Sequence, residues 1–215
     1  DPRQAEASRR RVLDLCCGVA GPGRHIVRHL ACGYLGLDYS ASALEIAAQR
    51  AEAEGLVCSF ELGHLPQLPP MTNFDVVLLL ETMLAFANKP QILREMAGSL
   101  TVGGRLALTF EEGSPLQSSE QLEMPDSDTV WLTPLPQMLQ WIEEAGLALI
   151  WQHDCSHQHL QVAESLLAAF QAHEGEISSQ IGARALDELL QAHRLWVHWL
   201  GTGRVRKFAL LAEKA

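Results

Sequence analysis

Several features are scarce or missing in this chain of 215 residues, and each shortage removes a class of function. No apolar run approaches the roughly 20 residues needed to cross a bilayer, and no signal peptide is visible, so neither a membrane span nor export is expected. Basic charge is short: 16 Lys and Arg stand against 26 Asp and Glu, a formal net charge of −10. A nucleic-acid enzyme usually presents a basic face. Here the dense basic groups are only Arg9-Arg10-Arg11 and Arg204-Val205-Arg206-Lys207, which read as solvated strand flanks, so nucleic acid is disfavoured as a partner. The five cysteines, Cys16, Cys17, Cys32, Cys58 and Cys155, lack metal-ligand spacing, and the adjacent pair could bond only with strain. Reduced thiols and a cytoplasmic protein are expected. With no C-x-x-C or H-E-x-x-H, no metal site is expected. A dinucleotide fingerprint, G-x-G-x-x-G, is absent too, which disfavours a nicotinamide-dependent oxidoreductase.

What is present is organised around Val12-Leu13-Asp14-Leu15-Cys16-Cys17-Gly18-Val19-Ala20-Gly21-Pro22-Gly23. The apolar run reads as a buried strand, and Pro22 suits the first turn of a helix. The small residues between them let the backbone turn tightly against a ligand. A second strand, Tyr34 to Asp38, ends on a carboxylate. Strand, small-residue turn, helix and an acid at the next strand end form the adenosine-binding half of a doubly wound α/β sheet, the acid accepting hydrogen bonds from ribose hydroxyls. Further along, the pattern predicts a helix capped by Ser40 or Ser42, a strand over Val57–Leu62 and a near-continuous apolar strand from Phe74 to Leu80. Then come a helix opened by Pro90, a strand over Arg105–Phe110, a long loop 111–133, a helix 134–144 and a sixth strand Leu147–Trp151. From about His159 to Leu200 the pattern is helical with a break near Gly175, and Val205–Ala212 returns as a strand. One domain, 1–215, is expected, with a helical cap inserted at about 156–201. The first ten residues read as a frayed polar end.

The turn resembles motif I of class I S-adenosylmethionine-dependent methyltransferases, D-x-G-C-G-x-G: Asp14, Cys17 and Gly18 match, and Cys16 and Ala20 replace the first and third glycines. Gly36-Leu37-Asp38-Tyr39-Ser40 is similar to the family's G-x-D-x-S. Leu62-Gly63-His64-Leu65-Pro66-Gln67-Leu68-Pro69 resembles its G-D-A-x-x-L-P turn, with His64 in place of Asp. Phe74-Asp75-Val76-Val77 resembles motif IV, and Leu93-Arg94-Glu95-Met96 with Leu100, Gly103, Gly104 and Arg105 resembles E-x-x-R-V-L-K-P-G-G-R-L, Val102 standing where proline is usual. These matches run in order over about residues 11 to 112. The resemblance implies a Rossmann-like seven-stranded sheet with the last strand antiparallel, S-adenosyl-L-methionine as cofactor and S-adenosyl-L-homocysteine as product. It carries cofactor roles onto Asp14, Cys16, Gly18, Asp38, Tyr39, His64, Leu65, Leu80 and Glu81. Asp14 has two readings, a structural acid bonding the turn amides or a direct contact to the methionine amine. His64 likewise either bonds the adenine amine or faces water.

The C-terminal half is similar to small-molecule members of that family, of the sarcosine/dimethylglycine, phosphoethanolamine and sugar-antibiotic types. Ala85 stands where such relatives place a histidine. The strand end Leu79-Leu80-Glu81-Thr82 lacks the [DN]-P-P-[FYW] box of nucleobase amino-methylation. The expected reaction is in-line transfer of a methyl group to nitrogen, oxygen or carbon of a small molecule, in secondary metabolism; the rival reading is a protein that binds the cofactor as a scaffold or sensor. A neutral amine needs no base, whereas a hydroxyl or carbon acid gains from one. Candidate catalytic groups are His157, from the run His153 to His159, and Glu81. Candidate substrate contacts are Trp131, His193 and Trp196. Glu111 and Glu112 read as too isolated for a catechol-type magnesium site. The spacing leaves the acceptor atom and the oligomeric state open.

Overall fold

Strand β1 (Arg10–Leu15) serves two apolar layers at once, because successive side chains of a strand point to opposite faces. Leu13 and Leu15 join one core with Leu79, Leu106, Leu108 and Phe110 of the neighbouring strands. Val12 joins a second, with Tyr34, Leu44, Ala47 and Leu78. Helices therefore have to cover both sides. Ile26 and Val27 of α1 (Gly21–His29) and Leu44 and Ala47 of α2 (Ala41–Ala53) close the second layer. Ile92, Leu93 and Met96 of α3 (Lys89–Ser99) close the first, with Met138 and Ile142 of a later helix. Fully burying one such leucine contributes about 2 kcal/mol.

This computed structural model describes residues 10–67 and 71–215. Residues 1–9, including Arg9 and the polar end, and Leu68 and Pro69 of the Leu-Pro turn lie outside the described residues. The strands β1, β2 (Cys32–Asp38), β3 (Ser59–Leu62), β4 (Phe74–Leu79), β5 (Leu100–Glu112), β6 (Leu147–Asp154) and β7 (Arg206–Lys214) form one sheet in the order β3-β2-β1-β4-β5-β7-β6. The first five are parallel, and β7 runs antiparallel to both β5 and β6. The register sets Glu111 of β5 opposite Lys207 of β7. All the parallel strands therefore end on one side, which places Cys16, Asp38 and Glu81 at the same edge.

Boundaries moved where local bonding outweighed pattern. Ser40 caps α2, its hydroxyl accepting from the Ala43 amide at 3.2 Å, so the Ser42 capping box does not form. Asn88 caps α3 in the same way. The loop 111–133 contains a short helix, α4 (Ser118–Glu123), and α5 (Leu135–Glu144) follows. β6 runs three residues beyond Trp151 to Asp154, whose Oδ1 accepts the Ser156 amide at 3.0 Å. The inserted segment is three helices rather than two, α6 (Ser156–Ala172), α7 (Glu174–Ile181) and α8 (Ala183–Thr202). It breaks at His173 and at Gly182, whose φ of 88° suits glycine. Leu116, Met124 and Leu132 of the 111–133 loop pack with Ala163, Trp199 and Leu200 of the cap as a separate small core. Among the described residues no helix is long and apolar enough to cross a membrane, and no disulfide joins the cysteines.

Candidate active site

The carboxyl ends of the parallel strands carry two clefts, and the segment 81–86 after β4 is the wall between them. Thr82, Ala85 and Phe86 face one, and Glu81 and Leu84 face the other.

The first cleft, about 270 Å³, is bounded by Cys16, Leu37, Asp38, Tyr39, Gly63, His64 and Leu65 on its far side. Its floor is the turn after β1. Cys16, Gly18 and Ala20 all have left-handed backbone, with φ of 56°, 54° and 54°. An L-residue there costs roughly 1–2 kcal/mol, which is the physical reason the family motif has glycine at these three places. Two of the three positions in this chain carry that strain, and the surrounding bonds hold it in place. Asp38 is the main clamp: one carboxylate oxygen accepts the Gly18 amide at 2.8 Å and the other accepts the Ser40 amide at 2.9 Å. Asp38 is buried yet lines the cleft, and each oxygen keeps a second lone pair for a ligand hydroxyl. A methyl group placed on Gly18 would meet nothing within 4 Å, so the space over the turn is open to a ligand. The Tyr39 and His64 rings lie 6.1 Å apart, inclined at 38°, with Leu65 beside them. They supply flat and apolar surface for a planar base.

Other expected cofactor residues lie elsewhere. Asp14 is not in the cleft: its carboxylate is buried under the turn and accepts the Tyr34 hydroxyl at 2.6 Å. Burial pushes its pKa up to about 6, partly offset by the Tyr34 hydrogen bond and reinforced by Asp38. The turn amide of Gly18 goes to Asp38 rather than to Asp14. Leu80 packs in the layer of Tyr34 and Leu44. Gly18 acts through its amide and its backbone shape. Glu81 faces the second cleft.

That second cleft, about 330 Å³, lies under the cap. Val162, Ala163 and Leu166 of α6 and Trp196 and Leu200 of α8 wall it with Leu84, and Glu81, Glu111, His159 and His193 supply its polar groups. Lys207 is fully buried beneath them, its ammonium 2.9 Å from a Glu81 oxygen and 2.5 Å from Glu111. Glu81, which has a left-handed φ of 60°, is also held by Thr109, whose hydroxyl accepts its amide and donates to its carboxylate. Burial raises the Glu81 pKa, but Lys207 and these hydrogen bonds outweigh it and hold the carboxyl below its ordinary range. Burial and the Lys207 charge lower the pKa of His159, against the pull of Glu81 and Glu111. The His193 Nδ1 lies 2.8 Å from the Leu189 carbonyl, which fixes that nitrogen as donor and leaves Nε2 for a ligand. Trp196 meets Trp199 edge to face at 5.4 Å.

His157 and Trp131 do not line the second cleft. His157 is exposed, and its Nε2 lies 3.5 Å from the Gln161 amide of its own helix. Trp131 borders a separate surface hollow with Pro115 and Leu116, and its carbonyl accepts the Lys89 ammonium at 2.6 Å. The histidine of the run His153 to His159 that lines the cleft is His159. Because α6 begins at Ser156, His159, Val162, Ala163 and Leu166 share a face at i, i+3, i+4, i+7. That apolar stripe was the available signal. Glu111, read as isolated, belongs with Glu81 and His159, whose ligand atoms lie within 4.8 Å of one another. Lys207, from a strand 96 residues further on, completes the group, and no local pattern links the two.

The chain is similar to known proteins in sequence and in fold. Residues 12–104 match the model of a family described as Methyltransferase domain. Methyltransferase GfsG of Streptomyces halstedii is 30% identical over 178 residues, 74% of this chain and 60% of that protein. The chain spans less than half the length of further curated relatives. A putative sarcosine dimethylglycine methyltransferase from Galdieria sulphuraria superposes with a TM-score of 0.88 at 17% identity, covering 100% of this chain and 81% of its own. Haemonchus contortus phosphoethanolamine N-methyltransferase 2, solved with phosphomonomethylethanolamine and S-adenosylhomocysteine, superposes at 0.80 with 16% identity over 96% of this chain and 49% of its own. Both structures share the fold.

Proposed function

We propose that the chain is a class I methyltransferase that transfers a methyl group from S-adenosylmethionine to a small-molecule acceptor, a reading supported by the methyltransferase-domain match at residues 12–104 and by the 30% identity to a Streptomyces halstedii methyltransferase. The observation that carries this reading is the convergence of Cys16, Asp38, Tyr39, His64 and Leu65 in one cleft, with a second cleft across the 81–86 wall. When bound, the cofactor would supply a methyl group activated by its sulfonium, and passing that methyl to an acceptor electron pair would leave the S–C bonding pair on sulfur as S-adenosylhomocysteine. Asp38 receives the ribose hydroxyls and Tyr39 and Leu65 sandwich the adenine, whose amine His64 meets. Glu81, Glu111 and His159 hold the acceptor under the cap, where lining up nucleophile and methyl supplies much of the acceleration. Residues 1–215 act as one domain with the cap at about 156–201, and we place the protein in the cytoplasm and in secondary metabolism.

The test is transfer of a labelled methyl group from S-adenosylmethionine to a panel of small amines, alcohols and carbon acids. The expected result is label in one acceptor class with matching S-adenosylhomocysteine. Glu81→Gln should lower transfer by about tenfold or more while cofactor binding is retained. Tight cofactor binding without transfer to any acceptor favours a scaffold or sensor, a reading supported by Ala85 lining the cleft where relatives place a histidine.

A further inference from the structure

The polar floor of the cap cleft does not balance. Lys207 carries one positive charge against two carboxylates, a formal net charge of −1 at a floor where the Glu81 side chain is 57% exposed and Glu111 is buried. Glu111 is buried, with its side chain 9% exposed. One of its oxygens takes Lys207, and the other, Oε2, is buried with no hydrogen-bond partner among the described residues. Buried carboxylate oxygens are rarely left unpaired, because desolvation is then uncompensated. Glu111 lines the cleft, so a ligand there can supply the missing donor. Resting on the reading above, we infer that the acceptor is an apolar amine, bound under the cap with its nitrogen at Glu111 and His159.

Each alternative meets a specific obstacle. A phosphorylated amine needs a cation for its phosphate, and the Lys207 ammonium at this floor is spent on two carboxylates. An alcohol can donate to Oε2 but leaves the negative charge uncompensated. A divalent cation would have to displace Lys207, which already bridges two of the three possible ligands. An ammonium head satisfies both the charge and the unpaired oxygen, Leu84, Val162, Leu166 and Leu200 suit an apolar body, and the Trp196 ring suits a neighbouring cation.

The amine arrives protonated and must expose its lone pair before it can attack. One proton passes from nitrogen to a ring nitrogen of His159, the electron pair of that N–H bond stays on the amine, and the imidazole becomes imidazolium. His159 lies within 4.8 Å of both carboxylates, which stabilise the charge it gains. Burial and Lys207 favour the neutral imidazole beforehand.

Calorimetric titration of the S-adenosylhomocysteine-saturated protein with benzylamine, benzyl alcohol, O-phosphoethanolamine and magnesium chloride tests this. Benzylamine should bind about tenfold or more tightly than benzyl alcohol, and Glu111→Gln should abolish that preference without changing S-adenosylhomocysteine binding. The wild-type comparison stands even where the variant fails to fold. Equal or tighter binding of the alcohol, preferential binding of O-phosphoethanolamine, magnesium that excludes benzylamine, or no binding of any probe would overturn the inference. Failure of S-adenosylhomocysteine to bind would instead overturn the function it rests on.

Discussion

Asp14 sits in the first strand, under the turn, and its carboxylate has exchanged water for a single phenol. Its pKa of about 6 in the fold, against 3.8 ordinarily, means that the native state holds the proton more tightly than the unfolded chain. The stability this gives is complete below about pH 4 and is lost as pH rises through about 6. The difference corresponds to roughly 3 kcal/mol. Asp14→Asn keeps an acceptor for Tyr34 and removes the charge. In urea unfolding, the variant should therefore gain on the wild type steadily between pH 4 and 6 and stay ahead by a constant margin above; a constant difference across that range would contradict the burial argument. The acid was visible in the sequence but its partner was not, because Tyr34 lies 20 residues away and meets it only when β1 and β2 pair. At the turn the opposite held. The motif marked positions 16, 18 and 20, and all three prove left-handed, although glycine remains only at Gly18.

At the scale of elements, the parallel core was legible because each strand is apolar over its own length and each helix has a cap or a stop close by in sequence. The cap was harder. Where β6 ends decides the phase of α6, and that ending depends on pairing with β7 and on Asp154 bonding Ser156. A two-residue error in phase separates exposed His157 from His159 in the cleft. The loop 111–133 is held to the end of the cap by Arg204, whose guanidinium grips both oxygens of Glu120 at 2.6 and 2.7 Å. Both side chains are mostly buried, so this fork is worth more than a surface pair. Arg204→Ala should lower stability by about 2 kcal/mol and move the first protease cut into residues 113–130. Arg204→Lys should not restore the wild-type pattern, since an ammonium cannot bond both oxygens in that plane. Unchanged proteolysis in Arg204→Ala would show that the loop is held by its apolar contacts alone.

Over the whole molecule, the strand order brings together what the sequence keeps apart: Cys16, Asp38 and His64 on one side of the 81–86 wall, and Glu81, Glu111, His159 and Lys207 on the other. The first group was legible because each member follows its own strand in a recognisable motif. The second was not, because it depends on an antiparallel pairing that closes only when the last strand returns. The central claim is that the first cleft holds S-adenosylmethionine through Asp38. Calorimetric titration with S-adenosylmethionine and with NAD, on the wild type, Asp38→Asn and Tyr39→Ala, tests it most directly. The account predicts micromolar binding of S-adenosylmethionine, weakened about tenfold or more by Asp38→Asn and measurably by Tyr39→Ala, and no binding of NAD. Binding of NAD in place of S-adenosylmethionine, or S-adenosylmethionine affinity untouched by both substitutions, would contradict it.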